Sequence, residues 1–270
     1  MEPIIEFRHV RKAYGSTVVI PDLNLAIDKG EFVTMVGTSG SGKTTTLKMV
    51  NGLHMPTSGQ LLIRGKDIRG RDLIQLRRHI GYAIQGSVLF PHLTVAENIC
   101  YVPRLLGQKD KGRLQALVDR WMDTMGLDRN LESRMPTELS GGQQQRVGIA
   151  RALAAGPEIL LMDEPFGAVD ALTRKQLQDE LKRLHRERGL TILFVTHDME
   201  EALKLGTKVL VMDKGVIQQY GAPAELLLHP AGEFVRQLVE TQRRTCFLPE
   251  EKLADCVYSG GASGKIEGNA

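Results

Sequence analysis

A glycine-rich turn between an apolar strand and a helix constrains this sequence more than any other feature. The turn reads Gly37-Thr38-Ser39-Gly40-Ser41-Gly42-Lys43-Thr44, which satisfies G-x-x-x-x-G-K-[ST]. The apolar run Phe32 to Val36 precedes it, and Lys43 to Leu53 follow with the apolar spacing of a helix. Inward-pointing N–H groups and the positive end of that helix would attract phosphate. The pattern predicts a nucleotide site; a chance glycine-rich turn is the alternative.

The chemistry expected at such a turn assigns roles to individual side chains. Lys43 would reach the β- and γ-phosphates, and the Thr44 hydroxyl would ligate Mg²⁺. Thr45, next in the helix, belongs to the same predicted nucleotide-binding set. ATP and Mg²⁺ are therefore the expected cofactors.

A second apolar run ends in two carboxylates, in the order Ile159-Leu160-Leu161-Met162-Asp163-Glu164. Ionised carboxylates at the end of a buried strand are costly unless a cation or a hydrogen-bond network compensates. A metal ion beside the turn would compensate Asp163, which would hold it through water. Glu164 should point the other way along the pleat and polarise the attacking water. The alternative is that the two acids only cap the strand.

A third segment, Leu139-Ser140-Gly141-Gly142-Gln143, opens a helix that continues to Leu153. Serine followed by two glycines at a helix start leaves backbone N–H groups available to a second anion. One ATP-binding domain has little use for a second phosphate site about a hundred residues from the first. Two copies facing head to tail would use it, each presenting Ser140 to Gln143 to the other's nucleotide. An ordinary serine cap is the alternative.

The rest of the chain predicts an α/β fold. Residues 4–36 have strand character, and charged helix-forming stretches from about residue 91 to 155 indicate an inserted helical subdomain. Strand and helix patterns then alternate from Ile159 to Met212, which predicts a mainly parallel sheet. Pro249 to Val257 could form a short helix, and Ser259 to Ala270 have the composition of a disordered tail.

Composition excludes several classes of function. A net charge of +3 in 270 residues does not indicate a nucleic-acid partner. The longest apolar runs are far shorter than the ~18 residues of a membrane-spanning helix, and no export signal precedes the first strand. Three scattered cysteines fit a reducing compartment and indicate neither a disulfide framework nor a metal site.

Taken together, these segments resemble the nucleotide-binding subunits of the ABC transporter family over residues 3 to about 240. In this resemblance the turn at residues 37–44 matches the Walker A motif, residues 139–143 match the signature, and residues 159–163 match Walker B. Further family positions are matched by Gln85 (Q-loop), Gly167-Ala168-Val169-Asp170 (D-loop), His197 (switch histidine) and Tyr14 (the aromatic residue that stacks on adenine). Val169 stands where the family usually has leucine, which keeps the apolar character.

The resemblance implies ATP hydrolysis with Glu164, His197, Gln85 and Lys43 as catalytic residues. It implies metal binding by Thr44, Gln85 and Asp163, and contacts to nucleotide from residues 140–143 and Asp170. It also implies a P-loop ATPase core over residues 1–240 with an N-terminal antiparallel β subdomain, and a short tail over residues 241–270. Without the family, Tyr14 could be a hairpin aromatic residue, Gln85 a polar strand end, and His197, one of seven histidines, a structural residue.

A narrower resemblance points to the osmoprotectant branch, which imports glycine betaine, carnitine or choline. It is carried by residues 44–49, 80–85, 89–95, 97–99, 102–103 and 173–178, all in scaffold and coupling regions. Many members of that branch carry CBS modules after the ATPase; with about thirty residues left after the cassette, such modules are not expected here. An importer of another small solute, such as an amino acid or polyamine, and a non-transport ABC ATPase remain alternatives.

The resemblance also implies partners and location. A second cassette would complete an ATP sandwich, and integral membrane permease subunits would be driven by its opening and closing. An extracytoplasmic solute-binding protein would take part indirectly. The expected location is the cytoplasmic face of the plasma (inner) membrane.

Overall fold

The computed structural model of the protein describes residues 3–84 and 89–245. Gln85 and the predicted helix and tail beyond residue 245 lie outside these ranges. Within them, no helix is both long and apolar enough to cross a membrane.

An antiparallel sheet forms the N-terminal part of the fold. Its strand order is β2-β1-β4-β5, and its strands are β1 (Ile5–Tyr14), β2 (Thr17–Ile27), β4 (Ser58–Ile63) and β5 (Lys66–Asp67). Along the end of β2, buried Leu23, Leu25 and Ile27 alternate with exposed residues, so one face of the sheet packs on the core. The expected antiparallel β subdomain is confirmed.

A second sheet, mainly parallel, has the order β10-β9-β3-β8-β7-β6, and only the β9–β10 pair is antiparallel. Its strands are β3 (Phe32–Gly37), β6 (Ile80–Ala83), β7 (Ile159–Asp163), β8 (Thr191–Val195), β9 (Lys208–Asp213) and β10 (Val216–Gly221). Every residue of β7 and β8 is buried, which explains their unbroken apolar runs. Val195 lies opposite both Met35 and Asp163, so the carboxyl ends of β3, β7 and β8 meet at one edge.

Helices cover both faces of this sheet. They are α1 (Lys43–Val50), α2 (Leu73–Arg78), α3 (Val95–Leu105), α4 (Lys111–Thr124), α5 (Gly141–Ala154), α6 (Ala171–Arg188), α7 (Met199–Leu205), α8 (Pro223–Leu228) and α9 (Glu233–Thr245). The first of them is shorter than the sequence predicts. It ends at Val50 because Gly52 takes a left-handed conformation (φ 63°), and Leu53 is 46% exposed instead of sharing the buried face.

The inserted helical subdomain consists of α3, α4 and α5 around Trp121, which is 1% exposed. Asn98 on α3 holds residues 90–94, the segment that leads into α3. Its amide Nδ2 donates to the carbonyl oxygens of Phe90, Leu93 and Thr94, and its Oδ1 accepts from the Phe90 N–H. This side chain is fully buried, so these contacts take the place of hydrogen bonds to water.

Replacing Asn98 by alanine should lower the free energy of unfolding by about 3 kcal/mol, because several buried backbone groups lose their partner. Asn130→Ala is the matched control, since that residue is exposed, and its effect should stay within about 0.5 kcal/mol. Chemical denaturation of both variants measures the difference. Equal stability of the two variants would contradict the structural role assigned to Asn98.

Candidate nucleotide site

The glycine-rich turn lies at the carboxyl end of β3 and leads directly into α1. Gly42 occupies the N-cap of α1 in a left-handed conformation (φ 95°) and supplies no side-chain cap. The first N–H groups of the helix therefore lack a side-chain acceptor and face the turn. Thr38, Ser39 and Gly40 are exposed, and Thr45 is half-buried within the helix. This local geometry suits the anion predicted from the sequence.

Lys43 is held by the turn that precedes it. Its Nζ donates to the carbonyl oxygens of Gly37 (3.0 Å) and Thr38 (2.8 Å) and to Ser41 Oγ (3.2 Å). Burial lowers the pKa of the Lys43 ammonium, and the carboxylates of Glu164 and Asp163 oppose this shift. A phosphate entering the turn would replace uncharged oxygens with charged ones, which are stronger acceptors for an ammonium group.

The acidic strand end meets the start of α1. Thr44 Oγ1 donates to Asp163 Oδ1 at 3.0 Å, so two of the three predicted metal ligands are in contact. Asp163 is only 2% exposed. Burial raises the pKa of its carboxyl and the charge of Glu164 adds to this, while the Thr44 hydrogen bond, Lys48 and Lys43 offset it. A buried carboxylate beside a hydroxyl is a pair of hard oxygen donors, the type that Mg²⁺ prefers.

Glu164 is oriented by an unusual backbone conformation and not by strand alternation as the sequence predicts. The strand ends at Asp163, and Glu164 has φ 46°, in the left-handed region. Its N–H donates to the Val195 carbonyl oxygen at 3.0 Å, which ties it to the end of β8. Its Oε2 lies 3.5 Å from Nδ1 of His197, whose side chain is 75% exposed. The predicted carboxylate and histidine are therefore neighbours at this edge.

Two other predicted site residues have structural contacts here. Asp170 is the N-cap of α6, with Oδ1 accepting from the Thr173 N–H at 3.0 Å; this bond lowers the pKa of its carboxyl. Tyr14 ends β1 with its ring 42% exposed. The Tyr14 ring centroid lies 5.5 Å from the His54 ring centroid in an edge-to-face contact. Lys12 Nζ lies 4.6 Å from the Tyr14 ring centroid.

The serine–glycine segment opens α5 as the sequence predicts. Ser140 and Gln143 form a capping box, in which Ser140 Oγ accepts from the Gln143 N–H and Gln143 Oε1 accepts from the Ser140 N–H. Gly141 and Gly142 start the helix between them. No hydrogen bond or ion pair among the described residues joins this segment to the glycine-rich turn of the same chain.

Two residues whose contacts shape the site, Gln145 and Asp213, escape sequence reasoning. Gln145, 5% exposed on α5, donates to the Glu164 carbonyl oxygen and accepts from the Ala168 N–H, so it links α5 to the segment after β7. Asp213 at the end of β9 accepts from Thr38 Oγ1 at 2.8 Å and steadies the turn. Gln145 sits in a run of three glutamines, and nothing local singles it out.

Comparison with known proteins agrees with this geometry. A family profile described as ABC transporter matches residues 20–167. The glycine betaine uptake system ATP-binding protein YehX of Escherichia coli (strain K12) is 52% identical over 235 residues, 87% of this chain and 76% of that protein. The carnitine transport ATP-binding protein OpuCA of Listeria monocytogenes serotype 1/2a (strain 10403S) is 48% identical over 89% of this chain, which spans only 60% of that protein's length.

Solved structures give the same result. A dimeric ATP-binding cassette in a post-hydrolysis state, bound to ADP and Pi, matches with a TM-score of 0.77 and 33% identity. The match covers 81% of this chain and 98% of that one. The profile alone covers more than half of the sequence. The chain therefore belongs to the ABC transporter family, and its described core is that family's ATP-hydrolysing cassette.

Proposed function

We propose that this chain is the ATP-hydrolysing subunit of an importer of osmoprotectant quaternary amines, such as glycine betaine, carnitine or choline. The observation that carries the catalytic part is the convergence of Lys43, Thr44, Asp163, Glu164 and His197 at one sheet edge. These five side chains come from the ends of β7 and β8 and from the start of α1. Such a set can hold a triphosphate and orient a water molecule against it.

In the proposed reaction, Lys43 exchanges its bonds to the turn carbonyls for bonds to the β- and γ-phosphate oxygens of ATP. Glu164 orients the attacking water and accepts its proton. His197, beside Glu164, donates to the γ-phosphate and stabilises the charge that develops there. Gln85 is proposed to contact the attacking water and the metal ion, which is the role that the family resemblance implies for it. Tyr14 is proposed to leave His54 and stack on adenine.

Thr44 and Asp163 would hold Mg²⁺, and their hydroxyl and carboxylate oxygens fit that ion. When bound, the ion would neutralise phosphate charge. The Thr44–Asp163 hydrogen bond places both donors on the same side of the turn. Asp163→Asn removes the carboxylate charge but keeps an oxygen that can accept from Thr44, so it should weaken nucleotide binding in the presence of Mg²⁺ more than in its absence.

We further propose that the working site is shared between two copies. The N–H groups at the start of α5 and the Ser140 hydroxyl would bind the γ-phosphate held by the partner copy. Support comes from the dimeric state of the cassette with 33% identity and from the absence, within residues 3–84 and 89–245, of a polar contact between Ser140 and the turn of its own chain. Asp170, exposed at the start of α6, would lie at the same interface.

Mixed dimers test this arrangement. Lys43→Ala and Ser140→Arg should each abolish phosphate release when assayed alone, because every site in either dimer has one damaged half. Mixing equal amounts should recover about a quarter of the wild-type activity, since half of the dimers then contain one intact site. Phosphate release is measured before and after mixing. Activity equal to the sum of the separate variants would contradict a shared site.

The cargo assignment rests on the functions of the two relatives, which are glycine betaine uptake and carnitine transport. We propose that permease subunits bind this chain at the cytoplasmic face of the membrane and receive solute from an extracytoplasmic binding protein. Co-expression with permease and solute-binding subunits of an osmoprotectant importer should confer ATP-dependent uptake of radiolabelled glycine betaine into vesicles. Uptake of a polyamine or amino acid instead would reassign the cargo without affecting the ATPase proposal.

A further inference from the structure

A buried chain of polar side chains connects α6 to the turn that carries His197. Gln178 on α6 is 8% exposed, and its Nε2 donates to Glu201 Oε1 at 2.8 Å. The other oxygen of Glu201 accepts from Thr196 Oγ1 at 2.6 Å. Thr196 and Glu201 are 2% and 7% exposed. We refer to Gln178, Thr196 and Glu201 as the α6–α7 network.

Each polar group of this network has a partner. Gln178 Oε1 accepts from Lys204 Nζ at 2.9 Å, and Thr196 Oγ1 also accepts from the Asp198 N–H at 3.0 Å. Burial raises the pKa of the Glu201 carboxyl, and the bonds from Thr196 and Gln178 counteract that shift. A fully satisfied buried network specifies one arrangement of its elements, whereas an apolar contact at the same place would tolerate several.

The arrangement matters because, among residues 3–84 and 89–245, few contacts hold the His197 side chain in place. This side chain is 75% exposed, and its Nδ1 lies 3.5 Å from Glu164 Oε2. The position of the ring must therefore come from the backbone on either side. Thr196 precedes it and Asp198 follows it, and the Thr196 hydroxyl binds both Glu201 and the Asp198 N–H. The Glu201 N–H in turn donates to Asp198 Oδ1 at 3.2 Å.

The same network reaches the helix that starts at Asp170. Gln178 lies eight residues, about two helical turns or 12 Å, along α6 from that N-cap. A rigid helix thus connects the proposed dimer-interface residue Asp170 to the anchor of the His197 turn. Movement of one end of α6 would be transmitted to the histidine through the Gln178–Glu201 bond.

We propose that Thr196, Glu201 and Gln178 are positioning residues that hold His197 against the transferred phosphate. This inference rests on the role proposed above for His197. It predicts that the network controls the rate of the chemical step and not the affinity for ATP. All three side chains are buried, and they act through the backbone of residues 196–198.

Thr196→Val tests the proposal, because valine keeps the shape of the side chain and removes only the hydroxyl. We expect kcat for ATP hydrolysis to fall by about 10- to 100-fold, as for a misplaced catalytic group, while the Kd for ATP changes by less than about twofold. Thr196→Ser retains the hydroxyl and should restore most of the activity. Glu201→Ala should behave like Thr196→Val.

Two controls separate positioning from stability. Leu184→Val on α6 removes a methylene group from a buried side chain outside the α6–α7 network, so it lowers stability. It should leave kcat per folded molecule unchanged. In a His197→Ala background, Thr196→Val should cause no more than about a twofold further loss in single-turnover hydrolysis. An undiminished effect of Thr196→Val in that background, or a kcat near wild type in Thr196→Val itself, would overturn the proposal.

A spectroscopic readout keeps this test independent of the ATPase assignment. The ring Cε1–H resonance of His197, identified by its loss in His197→Gln, should shift or broaden in Thr196→Val and stay near its wild-type position in Thr196→Ser. An unchanged resonance in Thr196→Val would refute positioning even where hydrolysis falls. If Thr196→Val showed these resonance changes while the wild-type protein did not hydrolyse ATP, the proposed function would fail but the positioning of His197 would stand.

Discussion

Replacing Glu164 by glutamine should lower ATP turnover about a thousand-fold while ATP binding is retained. Glutamine keeps the size of the side chain but cannot accept the proton of the attacking water. The left-handed backbone at residue 164 and its bond to Val195 do not depend on the carboxylate, so the geometry should survive. Phosphate release and a fluorescent-nucleotide titration measure the two quantities separately.

The same variant should accumulate as an ATP-bound dimer. Since hydrolysis would remove the γ-phosphate contacts that join the two copies, slow hydrolysis keeps the sandwich closed. Size-exclusion chromatography with ATP and Mg²⁺ should show a dimer for Glu164→Gln, and a monomer when Ser140→Arg is added to the same chain. That second substitution removes the contact made by the partner copy.

Glu200→Gln provides the matched control for Glu164→Gln. Glu200 is an exposed carboxylate in the first turn of α7, three residues after His197, so its loss makes the same charge change near the site. Its turnover should stay within about twofold of wild type, as for an ordinary surface substitution. Wild-type turnover in Glu164→Gln would remove Glu164 from the mechanism, and equal losses in both variants would indicate a general electrostatic effect.

The elements that the sequence predicts well are those with a strong local cause. Strands β7 and β8 read as unbroken apolar runs because helices cover both of their faces. The turn at residues 37–44 is recognisable because phosphate binding requires glycine backbone and a lysine at defined spacing. Ser140 could be predicted as a helix cap from its neighbours alone, and the structure shows that cap with its partner Gln143.

The parts that escape prediction depend on contacts between distant segments. The Gln178–Glu201 bond joins residues on two helices, and neither residue differs in local pattern from an exposed position on an amphipathic helix. Glu164 follows a strand, so alternation is the natural expectation, and nothing in the local sequence signals its left-handed conformation (φ 46°). The early end of α1 reflects Gly52, which a periodic apolar pattern passes over.

Replacing Gly37 by alanine should disrupt the nucleotide site more than a glycine-to-alanine substitution at Gly40 or Gly42 in the same turn. Gly37 ends β3 and pairs with Met212 of β9. A Cβ at Gly37 would lie 1.8 Å from the Met212 carbonyl oxygen, and the residue has φ 143°. Backbone atoms at that distance must separate, so the turn and β9 would move apart. We expect the free energy of unfolding to fall by about 3 kcal/mol or more.

Separation at this point would also misplace Thr38, whose hydroxyl binds Asp213 at the end of the same strand β9. The carbonyl oxygens of residues 37 and 38 hold Lys43, so the lysine would lose its alignment with the phosphates. ATP affinity should therefore fall by about a hundredfold or more in protein that is still folded, as judged by fluorescent-nucleotide titration at low temperature.

Gly189→Ala separates this steric effect from the cost of an unfavourable backbone conformation. Gly189 caps α6 with φ 60°, and no atom lies within 4 Å of the position its Cβ would take. Alanine there adds left-handed strain alone, which costs about 1 kcal/mol, and it should leave ATP affinity unchanged. If Gly37→Ala matched this control in both stability and affinity, β3 and β9 would not hold the turn rigidly. Lys43 would then be aligned by the nucleotide itself instead of by the sheet edge.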